Sequence, residues 1–106
     1  MISTDLLKGS LKTIVLKLLK ENGRMYGYEI TRMVDKMTSG KIKLTYGALY
    51  PVLHKLEAEG LVRAETENVN NRTRKYYSLT PKGKKESESR MSDFREYIDL
   101  MKNLFY

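Results

Sequence analysis

The stretch 45–81, TYGALYPVLHKLEAEGLVRAETENVNNRTRKYYSLTP, decides the fold, because its apolar period changes partway along. In its first part Leu49, Val52, Leu53 and Leu56 recur at spacings of three and four, the period of a helix facing a core. Thr45 stands where a hydroxyl caps a helix start. Gly60 stands where a left-handed residue ends one. Pro51 falls early enough to be tolerated, with some distortion of the first turns. Past Gly60 the period drops to two: Val62, Ala64 and Thr66 alternate with Arg63, Glu65 and Glu67. Residues 68–72 are polar, and Asn70-Asn71 suits a turn because asparagine tolerates positive φ. A second strand over 73–79 puts Tyr77 and Leu79 on one face and Tyr76 and Ser78 on the other. The pair reads as a β-hairpin.

Upstream, Leu7, Leu11, Ile14, Val15 and Leu18 predict one helix over 6–21, stopped at Asn22-Gly23. A second helix is expected from about Tyr26 to Met37, with Ile30, Met33, Val34 and Met37 as its apolar stripe, broken by Thr38-Ser39-Gly40. Downstream, Thr80 and Pro81 supply an N-cap and a first helical position. Gly83 weakens the first turn of that helix. Met91, Phe94, Ile98, Met101 and Phe105 then alternate by three and four, the a/d spacing of a coiled-coil seam, and Tyr97, Leu100 and Leu104 widen it. The expected fold class is mainly α with a small β-hairpin. It is a winged helix-turn-helix over 1–80, followed in the same compact unit by a C-terminal dimerisation helix over 81–106.

The chain has 106 residues, enough for one domain with a modest core. It has no cysteine and one histidine, so thiol chemistry is excluded and neither a metal nor another cofactor is expected. There is no phosphate-binding glycine loop, and no acid and base share a defensible site, so an enzyme is not expected. No apolar run approaches the roughly 20 residues of a membrane span. The first residues lack the order of a secretion signal, and the chain reads as soluble and cytoplasmic. The net charge is +7, and the excess is local: residues 68–85 hold six Lys/Arg and no acid. Such a block favours a polyanion, nucleic acid or an anionic membrane face; a solvated basic loop is the alternative.

Four constellations carry this further. Thr45, Tyr46, Gly47, Tyr50, His54 and Lys55, with Lys43 just before the cap, would lie on an exposed helix face that fits a major groove. The alternatives are a capped core helix with tyrosines at its rim and a His54 that is merely a tolerated polar residue. Asn71, Arg72, Arg74 and Lys75, interleaved with Tyr76 and Tyr77, suit backbone or minor-groove contact; an edge strand kept soluble by charge reads equally well. Tyr26 and Tyr28 flank Gly27 and could reach phosphates or pack on the neighbouring helix, while Glu29 could pair with a cation or cap the helix. The stripe of Met91, Phe94, Tyr97, Ile98, Met101, Leu104 and Phe105, with Leu7 and Leu11, is wider than the remaining core can receive. A second copy of the chain would bury it; packing on the first helix is the bland alternative.

Taken together, Tyr26 to Ile30, Gly47 to Pro51, Leu56-Glu57 with Gly60-Leu61-Val62, and Arg72 through Thr80 resemble the PadR family of transcriptional regulators in order and spacing, over nearly the whole chain. The resemblance implies a homodimeric winged helix, usually a repressor, whose terminal helix carries the dimer contact, in the subgroup with one such helix. The chain departs from the pattern at Ala48, where Thr or Ser is usual and one phosphate bond is lost. It departs also at Arg24, where Pro is common and a charge is added near the DNA-facing side, and at Asn71, where the wing usually has Gly. It has no tryptophan. Only Phe94, Tyr97, Phe105 and Tyr106 are placed to hold a flat ligand at a dimer interface, so an effector is left unassigned. The expected partners are double-stranded DNA at a pseudo-palindromic operator and a second copy of the chain. The helix from Thr45 to Lys55 would read bases, while the wing arm and Lys82 to Lys85 would grip phosphate. A winged helix used as a protein-interaction module is the competing reading.

Overall fold

The computed structural model describes residues 2–106. The elements run α1 (Thr4–Lys8), α2 (Leu11–Asn22), β1 (Arg24–Tyr26), α3 (Gly27–Met37), α4 (Tyr46–Ala58), β2 (Val62–Val69), β3 (Arg72–Leu79) and α5 (Pro81–Phe105). This is a winged helix: α2, α3 and α4 enclose the core, the β2–β3 hairpin is the wing, and α5 leaves it as a long terminal helix. None of the helices described is long and apolar enough to cross a membrane.

The helix expected over 6–21 is two helices. At the break the Ser10 amide and hydroxyl both turn back to the Leu7 carbonyl, at 3.0 and 3.2 Å. Serine thereby competes with the helical pattern, and Gly9 beside it has the poorest propensity short of proline. The four-residue spacing survives the break, so Leu7 and Leu11 both stay buried. The other local signals hold. Thr45 caps α4 by accepting the Ala48 amide at 3.2 Å, and Thr80 caps α5 by accepting that of Gly83 at 3.0 Å. Asn70 and Asn71 take φ of 51° and 63°, so a two-residue turn of the primed type joins the wing strands. Pro51 lies inside α4.

The sheet has three strands, not two, in the order β1-β3-β2. Three residues of β1 are too few to show a period, and only their pairing with β3 makes them a strand. Two side-chain expectations also change. Met37 points out, 67% exposed, because α3 ends where its stripe leaves the core. In β2 the alternation slips: Thr66 is exposed and Glu67 half-buried.

The core comprises Leu11, Val15, Leu16, Leu19, Ile30, Leu49, Leu53, Leu56 and their neighbours, closed from the wing side by Tyr77. Tyr77 is fully buried, and its hydroxyl has no hydrogen-bond partner among the described residues. Burial, ahead of nearby Glu57 and Tyr50, pushes its phenol pKa up. Removing an unpaired buried hydroxyl relieves its desolvation, so Tyr77→Phe is expected to raise stability by about 1 kcal/mol. The check is a higher midpoint in thermal or denaturant unfolding; a fall of similar size would show that the hydroxyl is satisfied.

The first half of α5 packs on α2, as the bland alternative had it. Ser87 is buried with its hydroxyl 3.5 Å from the Leu16 carbonyl, Glu88 meets Lys20 at 3.2 Å, and Met91 and Phe94 are half-buried. Beyond Phe94 the helix runs free of the core. Gly83 does more than weaken a helical turn. It is buried, and a Cβ there would lie 1.9 Å from the Leu61 carbonyl oxygen.

Candidate nucleic-acid interface

Three separated segments converge on one side of the molecule. The start of α3 brings Tyr26 and Tyr28, the start of α4 brings Tyr46 and Tyr50, and the wing brings Arg72, Thr73, Arg74 and Lys75. Together they line an open groove of about 450 Å³. The convergence follows from local rules. Thr45 fixes where α4 begins, and the Glu29 carboxylate fixes where α3 begins by accepting the Tyr26 amide at 3.1 Å. Glu29 is therefore a cap. Gly27 lets the two helices approach, since a Cβ there would come within 2.5 Å of the Tyr50 hydroxyl.

The tyrosines divide by what they touch. Tyr28 and Tyr46 are the outward pair, 51% and 49% exposed. Tyr50 is half-buried, its hydroxyl against Gly27 and its ring 5.7 Å from Tyr46 and 6.1 Å from His54. Tyr26 is half-buried too, edge-on to Tyr76 at 5.3 Å and stacked toward Tyr28 at 6.2 Å. Tyr26 and Tyr50 are thus chiefly packing residues, while Tyr28 and Tyr46 present free surface.

Among the remaining expected residues, Gly47, His54 and Lys55 are exposed along α4 outside the groove, beside its tyrosines. Thr45 is exposed but its hydroxyl serves the cap. Lys43 is exposed and 3.4 Å from Asp35, a loose pair that water screens. Asn71 forms the wing turn. The basic stretch 68–85 is not one surface. β3 carries the chain from Arg72 to Leu79, about 23 Å of strand, so Lys82 to Lys85 begin at the base of the wing, away from its tip. Lys82 is further occupied, its ammonium donating to the Glu59 carbonyl at 3.0 Å. Leu7 and Leu11, expected on a dimer face, instead lie almost wholly within the chain's own core, because the first turns of α1 and α2 fold against α4.

The wing's outer face brings together residues that the sequence shows only singly. By register, Tyr26, Tyr76 and Glu65 form one row across the sheet, Arg24, Ser78 and Arg63 another, and Arg74 and Glu67 a third. Arg24 lies over the Tyr76 ring, 4.0 Å from its centroid, and its guanidinium donates to Glu67 Oε2 at 2.8 Å. Arg74 lies 4.6 Å above Tyr26. Both cations are held further in their charged form, Arg24 chiefly by the Glu67 carboxylate and Arg74 chiefly by the Tyr76 hydroxyl. The Arg24 charge expected near DNA is therefore already matched. Thr73, which also lines the groove, donates to Asn68 across the hairpin at 3.1 Å. Nothing local signals the Arg24–Glu67 pair, whose members are 43 residues apart.

A helix-turn-helix whose second helix opens beside a basic wing defines the winged-helix class of DNA-binding folds. Residues 15–89 match the family described as "Transcriptional regulator PadR-like family", and the chain belongs to it. An uncharacterized protein from Lysinibacillus sphaericus is 33% identical over 104 residues, covering 94% of each chain. The structure of a transcriptional regulator from Clostridium thermocellum superposes with a TM-score of 0.88 at 26% identity, over 100% of both chains. Bacillus subtilis PadR in complex with operator DNA superposes with a TM-score of 0.68 at 30% identity, over 76% of this chain but 46% of that one.

Proposed function

We propose that this chain is a sequence-specific DNA-binding repressor that acts as a homodimer at a pseudo-palindromic operator. The observation that carries the reading is the groove in which Tyr28 and Tyr46 stand beside Arg72, Arg74 and Lys75. A reading helix and a cationic arm then meet the duplex together. The amides at the N-terminus of α4 and its exposed Tyr46, His54 and Lys55 would enter a major groove, while the wing cations hold the adjoining phosphates. That the homologous Bacillus subtilis protein forms a complex with operator DNA supports the assignment.

The dimer rests on the free half of α5. Tyr97, Ile98, Leu100, Leu104 and Phe105 are exposed, Phe105 to 76%. An apolar groove of about 220 Å³, lined by Ile14, Leu18, Val34, Met37, Met91 and Phe94, adjoins the point where α5 leaves the core. So much contiguous apolar surface is unusual on a monomer. A two-fold partner would bury it and set two reading helices at the spacing of successive major grooves. Footprinting on the promoter of its own gene tests both parts. Two symmetric protected half-sites about 10 base pairs apart, or a multiple of that, are expected. An unphased ladder would remove the sequence-specific dimer, and no shift of any duplex at low salt would favour a protein-interaction module.

A further inference from the structure

Glu67 and Arg74 stand directly opposite each other across the β2–β3 ladder. Side chains so placed are about 5 Å apart at Cβ, and opposite charges there ordinarily pair. They do not pair here. Glu67 binds Arg24, which starts from the far edge strand opposite Ser78, crosses the Tyr76 ring on β3 and reaches β2 at 2.8 Å. Arg24 thus spans all three strands, its guanidinium held by a ring face and a carboxylate together. Arg74 forms no ion pair among the described residues and lies instead over Tyr26, on the wall of the groove. Glu29, a nearby acid, is engaged with the Tyr26 amide. Glu65 shares the outer face but stands opposite Tyr76, not Arg74.

We infer that Arg24 is a positioning residue for the wing: by holding Glu67 it keeps that carboxylate off Arg74 and leaves the Arg74 guanidinium for a DNA phosphate. The inference rests on the DNA-binding reading above. Arg24 itself need not touch DNA. It acts as a decoy cation for the one acid that the strand register sets against a wing arginine. Removing it would hand Glu67 to Arg74, and the chain would lose a phosphate contact without any change at the DNA-facing residues.

The test measures affinity for an operator duplex and the slope of log K against log salt, with wild type, Arg24→Ala, Glu67→Gln and two double variants. Arg24→Ala should bind roughly fivefold more weakly per protomer, with a slope shallower by about 0.9 per protomer, as for one lost phosphate contact. Arg24→Ala with Glu67→Gln should return both quantities to near the wild-type values, because the competing carboxylate is gone. Arg24→Ala with Glu65→Gln restores the same net charge on the same face and should not rescue. Arg24→Gln, which keeps a stem over Tyr76, gives the same readings should Arg24→Ala fold poorly. An unweakened Arg24→Ala, a failure of Glu67→Gln to rescue it, or an equal rescue by Glu65→Gln overturns the inference while wild-type binding stands. Wild type that binds no duplex overturns the DNA-binding reading, and this inference with it.

Discussion

Gly83→Ala is expected to destabilise the domain by about 3 kcal/mol, a fall of roughly 10–20 °C in melting temperature. Helix propensity alone predicts the opposite sign, since alanine is better than glycine in a helix by about 1 kcal/mol. The contact reverses it. The added Cβ would lie 1.9 Å from the Leu61 oxygen and 2.9 Å from its carbonyl carbon. Both sides are backbone, and both are pinned. The Leu61 amide bonds the Leu56 carbonyl at 2.9 Å, closing α4, and the Leu61 carbonyl accepts the Thr80 amide at 3.1 Å. Thr80 also donates its hydroxyl to the Gly60 carbonyl at 2.6 Å while capping α5. Relief therefore requires the start of α5 to lift from the end of α4, which would break this set and loosen the seat of Ser87 on α2. Gly9→Ala is the control. Nothing lies within 4 Å of its Cβ position and its φ is −75°, so the change should stay within about 0.5 kcal/mol. Thermal unfolding at matched protein concentration decides it. A Gly83→Ala variant that melts with wild type would show that the α4–α5 junction yields freely.

Simultaneous replacement of Arg72, Arg74 and Lys75 by alanine should weaken duplex binding on the order of a hundredfold per protomer, taking about 1 kcal/mol for each exposed contact. The loss should be nearly equal for operator and unrelated duplexes. The salt slope should fall by roughly 2.7 per protomer, three contacts at about 0.9 each. The physical reason is placement: the three cations line the groove at the wing, and on the proposed docking they would meet phosphates rather than base edges. Changes at Tyr46, His54 or Lys55 belong to the other category and should shift preference among sequences. The wing is exposed, so the variant should fold, and circular dichroism checks this. Triple variants that altered only sequence preference would reverse the roles assigned to wing and helix.

The sequence by itself determined most of the elements whose cause is local; the break at Gly9-Ser10, equally local, is masked by an apolar period that runs through it. Periods of 3.6 and 2 depend on neighbouring residues, and so do the Thr45 and Thr80 caps, each closing over three residues, and the Asn70-Asn71 turn. The same locality gave away the cations and tyrosines of the site as types at given places. What the tertiary structure decided are relations between segments distant in the chain. The register of β1 on β3 made a strand of three residues and carried Arg24 to Glu67. The approach of α5 to Leu61 turned Gly83 from a weak helical position into a required one. The approach of α3 to α4 assigned Tyr50 to Gly27, while Tyr28 and Tyr46 stay exposed. The fold of α1 and α2 against α4 took Leu7 and Leu11 into the core, and the length of β3 parted Lys82 from the wing tip. Hydrophobic period and capping are written into the chain over a few residues, whereas a pairing across 43 residues exists only once packing has fixed where the two ends lie.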